Sequence, residues 1–375
     1  MRGVVCDRPY LHVTCKLWCF LFAQPVKYTP SAEQSEASLK VRAATLDDLL
    51  HEVFRRVLAT GRAVVASKNR NLEKSGALLE LTNPRARMSR TESRCLLFSA
   101  LGELLWYLSG SNDLAFIRYY VPDYPEDGEG VQTVRAAYGP RLKGQIDWVV
   151  KLLRAKSTTR RAVVPIYEVT DCDISHKEVP CTCTLQFLLR ENRLELLVNM
   201  RSNDAFLGLP GDVFCFTMIQ ELVARALGVE IGRYKHFAGS LHLYDQHHER
   251  AKNFIEEGWQ SKASMPMMPL GDQRPHLLQL LQLEERIRTG LDPDVPKSMP
   301  DYWKDLAYLL KIYRADHQDK APARRVKTLR EKIKNPIFGP YIDKRQRSAE
   351  KRDAELPKSI ARTLFTDPLD DDNEK

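Results

Sequence analysis

Apolar positions along the chain follow two alternating periods. Between Ala43 and Glu257, stretches repeating every three to four residues are interleaved with stretches alternating every second residue, which predicts helices and strands in turn. TLDDLLHEVFRRVLATG reads as a helix started by Thr45 or Asp47 and stopped at Gly61. A second helix is expected from Ser89, where S-R-T-E offers a capping box with Glu92, through LLFSALGELLWYLSG to Gly110. RRAVVPIYEV reads as a strand opened by Arg160 and Arg161, and CTLQFLLR with RLELLVNMR as a hairpin turning at Glu191 and Asn192. The helix DVFCFTMIQELVARALG follows, with Asp212 at its N-cap and Gly228 just past its end. IGRYKHFAGSLHLYDQHHERA is then a strand carrying His242 and Tyr244 that runs into another helix.

This patterning divides the chain into three regions. Residues 1 to 42 have no clear period and hold the polar run TPSAEQSEAS, an extension and linker; residues 43 to 257 form the core domain. Residues 258 to 375 become proline-dotted, then helical and basic, with DYWKDLAYLLKIYRA as the best amphipathic segment. The tail beyond Leu356, ending LDDDNEK, reads as disordered.

Composition narrows the class. The chain has 375 residues, 43% hydrophobic and 28% charged, which fits a soluble protein with one large domain and an appendage. No uncharged apolar run approaches the roughly 18 residues a membrane span needs. The apolar N-terminal patch is interrupted by Arg8, His12 and Lys16 and reads as an extension rather than a signal peptide. Eight irregularly spaced cysteines point to reduced thiols in the cytoplasm. A net charge of +8 suits a protein that handles anions, either phosphorylated metabolites or nucleic acid. Part of that charge lies between Lys320 and Lys334, which reads as a solvated helical face or as a nucleic-acid or partner patch.

Two places carry candidate chemistry. On the helix ending at Gly110, Leu96, Ala100, Glu103 and Tyr107 share one side, so Glu103 lies within an apolar stripe. Desolvation there would raise its pKa toward the range useful for proton transfer. The alternative is a carboxylate at the stripe's edge, paired with Arg94 or Arg118. The second place is DCDISHKEVPCTC, with Cys172, His176, Cys181 and Cys183 close in sequence. A zinc site, packed inert thiols and a nucleophilic cysteine all remain open. The nucleophile needs a positive field, and Arg201 at the far end of the hairpin could supply it, because an antiparallel pair brings its open ends together.

An ordered set of motifs resembles the thymidylate synthase and deoxycytidylate hydroxymethylase family: ELLWYLSG at 103 to 110, AYGPRL at 137 to 142, the arginine pair at 160 and 161, PC with QF five residues on, MRSND with LGLP, and H-L-Y at 242 to 244. The match covers roughly Leu46 to Ala251 and is closest in detail to (d)CMP hydroxymethylases. It implies an α/β (α+β) fold, a mixed sheet covered by helices, followed here by a helical basic C-terminal extension. It implies transfer of a one-carbon unit from 5,10-methylenetetrahydrofolate to C5 of a pyrimidine nucleoside monophosphate, with no metal.

The resemblance makes Cys181 the nucleophile at C6, with Glu103 managing protons around the ring's C4 substituent and Tyr138 assisting loss of the C5 proton. Arg201 and Ser202 would hold the 5′-phosphate and His242 and Tyr244 the sugar, while Asn203, Gln186 and a mobile Arg70 would also face the substrate. Asp204, Trp106 and Glu103 would meet the folate. Arg160 and Arg161 would reach the neighbouring subunit's phosphate site, implying a homodimer.

Three departures from the synthase pattern bear on the product. Asp212 stands where synthases have asparagine; a carboxyl there accepts from the cytosine amino group and favours a cytidylate, although an N-cap role also accounts for an aspartate. Thr182 stands where synthases have histidine, and the synthase C-terminal tail that keeps water out is not recognisable. These favour hydroxymethylation, with methylation of dUMP as the alternative. A non-catalytic nucleic-acid-binding regulator is a third reading.

Overall fold

The computed structural model describes residues 38–66, 69–89, 96–125, 130–259, 262–318 and 322–355. The readings of residues 1 to 37, of Glu92 and Arg94, of Lys320 and of the acidic tail lie outside these residues. The elements in chain order are β1 (Lys40–Ala43), α1 (Leu46–Thr60), β2 (Arg62–Val65), β3 (Arg70–Leu81), α2 (Leu97–Ser109), α3 (Leu114–Tyr120), α4 (Tyr138–Leu142), α5 (Gln145–Ala155), β4 (Val163–Pro165), β5 (Thr182–Arg190), β6 (Arg193–Asp204), α6 (Gly208–Leu227), β7 (Glu230–Tyr244), α7 (His248–Glu256), α8 (Arg274–Arg288), α9 (Asp301–Gln318), α10 (Pro322–Arg330) and α11 (Gly339–Glu355).

The strands form one mixed sheet in the order β1-β3-β7-β6-β5-β4, with β2 beside β3. β6 and β7 are parallel, whereas β5 runs antiparallel to β6 and β3 antiparallel to β7. A parallel neighbour needs a crossover, and the 20 residues of α6 provide it. Gln220, fully buried on α6, fastens this unit: its Nε2 donates to the carbonyls of Leu194 and Gly232, at 2.8 and 3.2 Å, where the β6 to β7 register shifts. Glu191 and Asn192 turn the β5 to β6 hairpin with φ of 48° and 56°, the left-handed pair of a tight two-residue turn.

Helix ends follow local chemistry. Thr45 Oγ1 accepts from the Asp48 N–H at 3.1 Å and starts α1, whose Leu49, Leu50, Val53, Phe54 and Val57 are buried. Gly110 and Gly228 end α2 and α6 with φ of 73°, which a residue without Cβ adopts at no steric cost. α2 begins at Leu97, later than the expected start at Ser89. α1 and α6 pack on one face of the sheet. The other face is open: it carries exposed Leu78 and Phe237, the Lys235 to Glu195 pair at 3.0 Å and the Arg233 to Glu80 pair at 3.5 Å.

Two expected boundaries move. β1 lies within the stretch read as linker and pairs in parallel with β3, and residues beyond 258 join the same compact unit as the core. Trp303 Nε1 donates to Gln273 at 2.9 Å, Tyr313 OH to the Tyr119 carbonyl at 2.8 Å and Tyr341 OH to the Ser89 carbonyl at 2.5 Å. Some of the basic C-terminal side chains are committed within the fold: Arg325 pairs with Asp292, Arg330 with Asp343, and Lys332 lies over Tyr308. No helix among the described residues is long and apolar enough to cross a membrane.

One ion cluster joins the loop after β3, α6 and the chain leading to α8. Glu221 accepts from Arg85 Nε at 2.9 Å, from Arg87 and from the Met268 N–H at 3.1 Å, and both Glu221 and Arg87 are fully buried. Glu221→Gln leaves the Arg87 charge uncompensated in the interior. We expect urea unfolding of this variant to show a loss of about 3 kcal/mol or more, and a loss below about 1 kcal/mol would show that the cluster is not what joins these segments.

Candidate active site

Strand direction decides where the chemistry collects. Because β6 and β7 run the same way, their C-terminal ends lie together; the antiparallel neighbours bring the starts of β5 and β3 to that edge. A cavity of about 590 Å³ opens there, lined by Cys181 before β5, Arg201, Ser202 and Asp204 on β6, Ser240, His242 and Tyr244 on β7, and Asn71 and Glu73 on β3, with Lys177, Glu178, Leu207 and Gln246 around them.

Arg201 is locked beside the thiol by the loop that carries it. Its backbone N–H donates to the Cys181 carbonyl at 2.9 Å, its Nε to the Pro180 carbonyl at 2.9 Å and its Nη2 to the Val179 carbonyl at 3.1 Å. The same Nη2 lies 3.9 Å from Cys181 Sγ. Three carbonyls therefore hold a permanent cation against one sulfur, the field a thiolate requires. Gly239 permits this close strand contact, since a Cβ there would lie 2.9 Å from the Arg201 carbonyl oxygen. Among the described residues no group of three or more histidines, cysteines or carboxylates could hold a metal ion, and Cys172 is exposed.

From the sulfur, a polar path leads to two carboxyl groups. The Thr182 N–H donates to Tyr138 OH at 3.1 Å, and the Tyr138 ring stacks on Tyr107 with centroids 4.9 Å apart. Tyr107 OH donates to Glu103 Oε1 at 2.7 Å. Burial, and next the proximity of Cys181, hold the Tyr138 phenol well above its usual pKa. Glu103 has no ion pair among the described residues, and Arg118 turns to the Tyr124 carbonyl at 3.1 Å. Burial raises the Glu103 pKa, the Tyr107 bond offsetting part of the shift.

Asp212 differs from the N-cap expectation. α6 begins at Gly208, so Asp212 sits a turn inside the helix, and its Oδ2 accepts from Asn203 Nδ2 at 2.7 Å. The cap reading failed because LGLPG, rich in glycine and proline, looks like a loop although its backbone is already helical. Glu103 and Asp212 are half-buried as whole residues, yet their carboxyl ends lie among protein atoms, so desolvation dominates. It pushes Asp212 up to about 8, with the Glu103 charge adding to the rise.

Other expected residues are placed differently. Trp106 is fully buried, edge-on to Tyr124, and offers no face to a folate. Gln186 donates to the Arg160 carbonyl at 2.9 Å and does not line the cavity. Arg160 and Arg161 are exposed and stand outside this chain's own cavity, and Arg70 lies 3.5 Å from Asp245 at the surface. Asp204 lines the cavity while its Oδ1 accepts from the Phe206 and Leu207 N–H groups at 2.8 and 3.0 Å. Asn71, Glu73, Lys177 and Ser240 were missed; the alternation of β3 after Arg70 was the available signal for the first two.

The Asp212 shift has a stability signature. The folded chain keeps this proton up to about pH 8, whereas the unfolded chain releases it near its ordinary value of 3.8. Its contribution is therefore full below that value and is lost as pH rises toward 8. Melting temperatures of wild type should fall relative to Asp212→Asn across this window, and a constant difference between the two would show that Asp212 is not neutral at pH 7.

Comparison with known proteins agrees with the fold. Residues 52–286 match the profile of the thymidylate synthase family. A 215-residue stretch is 30% identical to the deoxyuridylate hydroxymethyltransferase of Bacillus phage SP01, covering 52% of this chain and 56% of that relative, so the likeness spans about half of each. With the family profile covering well over half of its length, the chain belongs to the thymidylate synthase family.

Proposed function

We propose that the chain is a pyrimidine C5 hydroxymethyltransferase acting on a cytidine monophosphate, through a covalent bond between Cys181 and ring carbon C6. The observation that carries this is the cavity in which Arg201 Nη2 lies 3.9 Å from Cys181 Sγ, with Asp212, its carboxyl end buried, near the same Tyr138 that borders the thiol. Arg201, Ser202 and Lys177 take the phosphate by charge-assisted bonds, and His242 and Tyr244 take the sugar. Asp212 meets the N3 and C4 edge of the ring. The Asn203 bond makes Oδ2 an acceptor, suited to the C4 amino group, and leaves the proton on Oδ1 for N3.

Addition of the Cys181 sulfur to C6 places electron density on C5, which can then form a bond to a one-carbon unit. A reduced folate would supply that unit, held where Asp204 and the exposed Leu207 flank the cavity. Tyr138 assists removal of the C5 proton by hydrogen-bonding the water that takes it, and Glu103 passes protons through water. The bond from the new carbon to the folate nitrogen would then break, releasing tetrahydrofolate; water adds to that carbon and supplies the hydroxyl, and the sulfur leaves C6. Cysteines without disulfides, such as Cys183 and Cys215, fit a cytoplasmic setting. The open sheet face with Leu78 and Phe237 supports a homodimer, in which the partner's copies of the Arg160 and Arg161 pair would complete the phosphate site.

A second reading, uracil as the base, draws on the phage relative, a deoxyuridylate hydroxymethyltransferase. Incubation with 5,10-methylenetetrahydrofolate and dCMP, CMP or dUMP decides. A 5-hydroxymethyl product with tetrahydrofolate is expected from the cytidylates, whereas dihydrofolate with a methylated product would replace this reading by a synthase. Cys181→Ser should lower turnover at least about 1,000-fold. Asp212→Asn should shift preference toward dUMP by about 100-fold, and unchanged preference would remove Asp212 from base selection.

A further inference from the structure

The sugar end of the cavity contains more hydrogen-bond acceptors than a deoxyribose can satisfy. β3 and β7 meet there in register, Asn71 opposite Tyr244 and Glu73 opposite His242, so alternate residues of both strands face the same side. Glu73 and Asn71 therefore stand directly across from the two residues assigned to the sugar. All four line the cavity.

A carboxylate beside the phosphate would oppose its charge, and the cations Arg201 and Lys177 mark the phosphate end through the loop before β5 and the end of β6. Glu73 belongs instead to a neutral part of the ligand that offers donors. It is already oriented: Ser240 Oγ donates to Glu73 Oε2 at 2.5 Å. Its Oε1 has no protein hydrogen bond or ion pair among the described residues. Asn71 repeats the pattern. It is 2% exposed, its Nδ2 reaches the Asn69 carbonyl at 3.4 Å, and its Oδ1 is buried without a donor. A buried acceptor left unpaired is costly, and a bound hydroxyl would relieve that cost.

A 2′-deoxynucleotide presents one sugar hydroxyl, at the 3′ carbon, which His242 and Tyr244 can take between them. A ribonucleotide presents a second hydroxyl next to it, and two adjacent O–H groups match a carboxylate oxygen beside an amide oxygen. Resting on the reading that this cavity holds a pyrimidine nucleoside monophosphate, we propose that Glu73 and Asn71 receive the 2′-hydroxyl of a ribose, so that the substrate is CMP rather than dCMP. Deoxyribose, with one O–H donor fewer, would leave one of these acceptors without a partner. Sites built to bond a hydroxyl reject the analogue that lacks it far more strongly than apolar pockets reject an extra group.

Binding tests this separately from turnover. Calorimetric titration of the full-length Cys181→Ser chain with CMP and with dCMP is expected to show CMP bound at least about 100-fold more tightly. Adding Glu73→Ala should shrink that ratio by about 10- to 100-fold, and Glu73→Gln, which keeps an acceptor and a tie to Ser240, should shrink it less. Equal affinities, tighter dCMP binding, a ratio unmoved by both variants or no binding of either nucleotide would overturn the proposal. If CMP is preferred in binding but the native enzyme forms no 5-hydroxymethyl product from it, the ribose assignment stands and the reaction assigned above fails.

Discussion

Parallel pairing of β6 with β7 is the constraint on which the candidate site depends. A parallel neighbour cannot be reached by a tight turn, so α6 must cross over, and Gln220 secures that crossing by bonding the carbonyls of both strands. With the two strand ends side by side, β5 and β3 can only bring their beginnings to the same edge. Cys181, Arg201, His242 and Glu73, far apart in sequence, then share one cavity. Pairing β6 and β7 in the opposite sense would send His242 and Tyr244 to the far edge of the sheet.

Charge changes character between this cavity and the buried acids beyond it. Permanent cations stand at one end, where Arg201 is held by three carbonyls and Lys177 adds a second positive group. Beyond the residues that line the cavity, Glu103 and Asp212 are buried at their carboxyl ends, Glu103 adding to the rise of Asp212, with no cation paired to either among the described residues. Desolvation therefore raises both acids, Asp212 to about 8. Between the two ends, Tyr138 touches the backbone beside the sulfur and stacks on the tyrosine that bonds Glu103. Such a gradient suits a ligand with an anionic tail and a neutral ring that accepts and donates hydrogen bonds.

Several side chains took positions that local pattern does not convey. Trp106 lies on the same helix as Glu103, yet the third dimension seals it behind Tyr124 while Glu103 keeps contact with the site. Asp212 looked like a helix cap because LGLPG has the composition of a loop, and only the backbone reveals a helix already begun at Gly208. The C-terminal helices carry a high proportion of basic residues, which made them look like an appendage. Two of their buried aromatic residues, Tyr313 and Tyr341, bond into the core instead.

The sequence alone determined α1, the β5 to β6 hairpin with its Glu191 and Asn192 turn, α6 past its first turn, and the adjacency of Cys181 and Arg201, because period, turn chemistry and hairpin closure are local or nearly local properties. It also placed Glu103 in an apolar stripe, from which its raised pKa follows. Tertiary structure decided the rest. That Asn71 and Glu73 face His242 and Tyr244, that Asn203 holds Asp212, and that Glu221 neutralises Arg87 all depend on strand register and crossover geometry. Those contacts join residues separated by anything from nine to more than a hundred and sixty positions, and no short-range pattern encodes which of many possible partners the fold will choose.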